Sequence, residues 1–128
     1  MTQPHTFAYA RSVAESMATA EVGQLLSPVP PDVLSSFHME AEGCWFFFLN
    51  ERLRTSVERP GTLVSVVYAV AKVGERTGFV YDFRPNMQQM QDYIDVWSLY
   101  ALGKQEEARA AFQAFSKRYP EPPLATGA

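Results

Sequence analysis

Residues 44–49 read Cys-Trp-Phe-Phe-Phe-Leu, and this run constrains the fold more than any other feature of the chain. A strand that shows one face to water alternates polar and apolar residues, and this one does not. Cys44, Phe46 and Phe48 point one way; Trp45, Phe47 and Leu49 point the other. Both faces therefore need cover, from the rest of the chain or from another protein. Leaving several such side chains exposed would cost roughly 1.5–3 kcal/mol each, so cover from within the chain is the expectation.

The flanking sequence supplies candidate layers. Residues 7–26 are expected to form a helix, with Val13, Met17, Ala20 and Leu25 at roughly helical spacing and Ala14, Ala18 and Val22 beside them. The prolines of "SPVPPD", residues 27–32, break it. From Val33 to Glu42 the pattern has period two: Phe37, Met39 and Ala41 alternate with His38, Glu40 and Glu42, as in a half-buried strand. After the apolar run, residues 50–62 read as a loop. "LVSVVYAVAKV", residues 63–73, is again apolar on both faces. "GERTG" gives a hairpin turn, and "FVYDF", residues 79–83, a fourth strand. Short connections favour pairing between sequential strands, so an antiparallel meander is expected.

Asn86 reads as an N-cap for a helix reaching about Leu102, with Met90, Tyr93, Ile94, Trp97, Tyr100 and Ala101 as its apolar stripe. Gly103 stops it. A last helix, roughly 104–119, carries Glu106 and Glu107 in its first turn, Lys117 and Arg118 in its last, and Ala108, Ala111, Phe112, Phe115 and Tyr119 as its buried face. Trp97 and Phe112 are expected to pack together between these helices. The resulting fold class is α+β: an N-terminal helix, a four-stranded antiparallel sheet and a C-terminal αα-hairpin. One domain is expected over 1–120, with a disordered tail over 121–128.

The chain carries few signals of chemistry. Formal net charge is −3, and the basic residues are scattered, which argues against a nucleic-acid footprint. No run approaches the roughly 18–20 apolar residues of a membrane span, and the first residues lack the pattern of a secretory signal. The single cysteine, Cys44, fits a reducing compartment, so a cytoplasmic protein is expected. Cys44 has no basic neighbour and reads as a small core residue. His5 and His38 belong to no metal-spaced cluster, and no phosphate-binding glycine loop is present, so no cofactor is expected. Asp82, within an aromatic strand, is either turned to solvent or paired with an arginine such as Arg84. Asp92 and Asp95, three apart, share one helix side.

The stretch "YALGKQEEARAAFQAFSKRYP" resembles the second half of a tetratricopeptide repeat at Gly103, Ala108, Phe112 and Pro120. Only one copy exists, so an ordinary αα-hairpin is expected there. "EGCWFFFLNE" resembles the aromatic second strand of small immunity proteins of interbacterial toxin systems, within the cystatin/NTF2-like α+β group, and "AVAKVGERTGFVY" is similar to their later hairpin. That resemblance implies a non-enzymatic protein that binds and neutralises a cognate toxin, and the toxin is expected to be basic. The candidate contact residues are the acidic and aromatic set Glu40, Glu42, Trp45, Glu51, Asp92 and Asp95. Two other readings stay open. One is an NTF2-like small-ligand protein or enzyme with a pocket lined by Trp45, Phe47, Tyr68 and Tyr81 and served by Asp82 or His38. The other is a secretion chaperone or adaptor.

Overall fold

A computed structural model describes residues 4–24, 32–50, 66–84 and 86–120. Helix α1 (Phe7–Gly23) leads into strands β1 (Leu34–Glu40), β2 (Cys44–Leu49), β3 (Val66–Ala71) and β4 (Thr77–Tyr81). Helices α2 (Met87–Ala101) and α3 (Gln105–Arg118) follow. The strands form one antiparallel sheet in the order β1-β2-β3-β4. The α+β arrangement expected from the sequence is the one observed. The tail 121–128 and Glu51 lie outside the described residues.

The apolar run is covered on both faces by its own chain. All six residues of β2 are buried. On one face Trp45, Phe47 and Leu49 join Tyr68 and Val70 of β3 under α1. On the other, Cys44, Phe46 and Phe48 join Val67, Ala69 and Val80 under Met90 and Ile94 of α2. β2 and β3, the two central strands, are thus the middle of a three-layer sandwich, which explains why both read as continuous apolar runs.

α1 begins at Thr6, whose Oγ1 accepts a hydrogen bond from the Tyr9 amide at 3.1 Å. Its buried stripe is Ala10, Ala14, Ala18 and Val22, with Val13 and Met17 at the flanks. Ala20, expected inside, is exposed, and the helix ends at Gly23 rather than near residue 26. The reason is steric. A four-residue repeat of small side chains lets the helix backbone settle close to the sheet, where Trp45, Phe47 and Tyr68 fill the space between.

The opposite layer is fixed at the β1–β2 turn. The Gly43 amide donates to Ser98 Oγ of α2 at 2.7 Å. A Cβ on Gly43 would lie 2.6 Å from the Ser98 carbonyl oxygen and 2.7 Å from Leu102 Cγ. Only glycine lets this turn reach α2. α2 starts at Asn86, whose Oδ1 accepts from the Gln89 amide at 3.1 Å, as the capping pattern predicts.

Candidate functional site

α3 folds back along α2 through a turn at Leu102 and Gly103, the latter at φ +81°. It rests on α2 and adds little to the core: Ala108 is its one buried side chain among the described residues. Small residues at the crossing bring the helices together, and Phe115 anchors the far end against the rings of Phe83, Tyr93 and Tyr119 at centroid distances of 5.6, 5.2 and 4.9 Å.

Phe112, expected in the core with Trp97, is 50% exposed and makes no ring contact among the described residues. The two side chains instead line one open groove of about 370 Å³ between the helices. Tyr93, Trp97 and Tyr100 form its α2 wall; Gln105, Arg109 and Phe112 form its α3 wall. Arg76 packs on Tyr100, its guanidinium 4.4 Å over the ring and donating to the Tyr100 carbonyl. The expectation fails because Ala108 is the side chain of α3 that is buried, so the larger Phe112 is left on the flank. The pairing of alanines with a phenylalanine one position beyond them on the same stripe was the available signal.

A second groove, about 230 Å³, runs along the other side of the hairpin and includes Asp92, Asp95, Leu99 and Arg118. Here the structure brings two predicted contact residues together. Asp92 accepts from the Tyr119 hydroxyl at 2.8 Å and Gln88 Nε2 at 2.9 Å, and pairs with Arg118 at 3.2 Å. The Tyr119 hydrogen bond, ahead of those from Gln88 and the charge of Arg118, holds its carboxyl below the ordinary carboxylate value. Asp95 shifts the other way: desolvation raises it, opposed by Gln91 and reinforced by Asp92.

The other predicted contacts lie elsewhere. Glu40 sits on the α1 side of the sheet, paired with Lys72, whose hydrogen bond lowers the Glu40 carboxyl. The same Lys72 ammonium lies 5.0 Å over the Trp45 ring. Trp45 itself is 6% exposed and packs under α1, so it offers almost no surface to a partner. Glu42 is exposed in the turn that abuts the Ser98–Leu102 end of α2. The acidic set therefore divides between the two faces of the sheet.

The side chains proposed for an NTF2-like pocket do not converge on an opening. Trp45, Phe47 and Tyr68 are packed against the alanine stripe of α1. Asp82 is held by a bidentate pair with Arg84, whose Nε donates to Oδ1 at 2.9 Å and Nη2 to Oδ2 at 2.5 Å. His38 is exposed beside Phe7 and Phe47, on the face opposite Cys44, so the two cannot form a nucleophile–base pair. Burial pushes the Cys44 thiol up to about 12, and its Sγ faces the Ile94 carbonyl at 4.0 Å. Among the described residues no group of three or more His, Cys, Asp or Glu side chains could hold a metal ion, and no helix is long and apolar enough to cross a membrane. No protein-family model, curated protein or solved structure matches the chain.

Proposed function

We propose that this protein works by binding another protein through its α2–α3 hairpin, most concretely as an immunity protein that occludes a toxin. The observation that carries the reading is the open aromatic groove. An amphipathic helix has its large apolar side chain, Phe112, half in water while its small ones make the intramolecular contact. Aromatics presented on helices and partly exposed are the usual anchors of protein interfaces. An apolar side chain of a partner, presented on a helix or loop, fits between Trp97, Tyr100 and Phe112. Glu42, exposed beside the hairpin, and Asp95, exposed on α2 itself, provide carboxylates that steer a basic partner.

The test is co-expression with the product of the adjacent gene. Binding and protection of the host cell are expected for the wild type, and both are lost in Phe112→Asp while the protein stays folded, its melting temperature lowered by a few degrees at most. An adjacent product that is neither bound nor neutralised would contradict the immunity reading. Turnover of a small molecule by the purified protein would replace the binding reading altogether.

A further inference from the structure

The two edges of the sheet are treated differently. On β1, the Ala41 amide donates to the Cys44 carbonyl at 2.9 Å, so the alternation of antiparallel pairs turns the backbone groups of His38 and Glu40 outward. That edge carries a register irregularity between Leu34 and His38 and a charged side chain at Glu40. Both features discourage another strand from adding there. On β4, the Ala71 amide donates to the Arg76 carbonyl at 2.9 Å, which makes Ala69–Gly78 and Val67–Val80 the hydrogen-bonded pairs. Thr77, Phe79 and Tyr81 therefore aim their amides and carbonyls away from β3 and find no partner among the described residues. This edge, Thr-Gly-Phe-Val-Tyr, has no charge and no proline. Phe79 stands beside Tyr68 on the α1 side, yet α1 rests on β1, β2 and β3, and Phe79 is 59% exposed.

We propose that β4 is a dimer edge, joined to β4 of a second copy in antiparallel sense about a two-fold axis at Phe79. The strand is self-complementary in this register. Phe79 faces Phe79 of the other copy, and Thr77 faces Tyr81, so all three outward-facing residues meet outward-facing residues, giving about six backbone hydrogen bonds. One residue further on each side, Arg76 of one copy faces Asp82 of the other. Charges thus match at both ends of the ladder, which an arbitrary partner strand would not guarantee. Each keeps its own intrachain contact, Arg76 with Tyr100 and Asp82 with Arg84, so no charge is stranded in either state. The sheet becomes eight-stranded, the two Phe79 rings cover one another, and the α2–α3 grooves remain open on the opposite face.

Sedimentation velocity of the full chain over a concentration series tests this. The wild type is expected to approach twice its 14.4 kDa mass at high concentration. Phe79→Lys sets two ammonium groups opposite each other at the axis and is expected to raise the dimer dissociation constant about tenfold or more, with an unchanged melting temperature at concentrations where both proteins are monomeric. Thr77→Lys, a second exposed position, is expected to act in the same direction. Phe112→Asp, in the groove, is expected to leave the dimer intact. A wild type that stays monomeric throughout, or a dimer unaffected by both lysine variants, overturns the proposal. So does a dimer lost in Phe112→Asp but kept in Phe79→Lys.

Discussion

Single residues carry opposite expectations according to what surrounds them. Cys44 is buried, and burial raises its thiol to about 12, so thiolate is scarce at neutral pH. Thiol labelling of the native protein is expected to be slow and to accelerate on unfolding; rapid labelling at neutral pH would contradict this. The Tyr68 hydroxyl is also buried and has no hydrogen-bond partner among the described residues. A buried polar group without a partner is destabilising, so Tyr68→Phe is expected to raise stability by about 1 kcal/mol in denaturant unfolding. A loss instead would reveal a partner for the hydroxyl. Phe112 illustrates the difference between an apolar stripe and a core. A buried phenylalanine truncated to alanine costs about 3–5 kcal/mol, whereas half-exposed Phe112 is expected to cost less than about 1.5. Gly43→Ala is expected to cost about 1–3 kcal/mol, because its Cβ would meet the backbone of α2.

At the scale of elements, the α2–α3 hairpin is held at its open end by carboxylate chemistry. Asp92 has a depressed folded-state pKa, so its contribution is present above the ordinary carboxylate value and is lost as pH falls through the folded value. Asp95 has the reverse sign: its raised pKa means that ionising it costs stability as pH rises through the carboxylate range. Asp92→Asn is therefore expected to lower the melting temperature by a few degrees at pH 7, and Asp95→Asn to raise it, with both differences shrinking below about pH 4. Melts of the two variants that shift in the same direction at neutral pH would refute this assignment. The elements themselves were legible in the sequence because their signals are local. Period-two alternation marks β1, Asn86 marks the start of α2, and Gly103 its end. The stripe of α1 is only partly legible: Ala14, Ala18 and Val22 lie on it as expected, but bulky residues draw the reading toward Val13 and Met17, which sit at its flanks, and miss Ala10, which close packing on an aromatic sheet also selects.

For the whole molecule, the continuous apolar run in β2 foretold a layer on each side, and the two helical layers bear that out. The candidate site was less legible. Trp45 and Phe112 look alike in the sequence, each a large aromatic on an apolar pattern, yet one lies under α1 and the other stands in the hairpin groove. Their fates depend on which neighbouring element supplies small residues at the contact, and that is a property of the assembled layers. The chain thus divides into a doubly covered sheet and a lightly held outer helix that presents aromatics. Hydrogen–deuterium exchange of the protein alone tests that division most directly. Amides of Phe46, Phe47 and Phe48 are expected to exchange only through global unfolding, and those of α3 through local opening at markedly lower protection. Protection in α3 equal to that in β2 would make α3 part of the core and contradict the assignment of the hairpin as the binding surface.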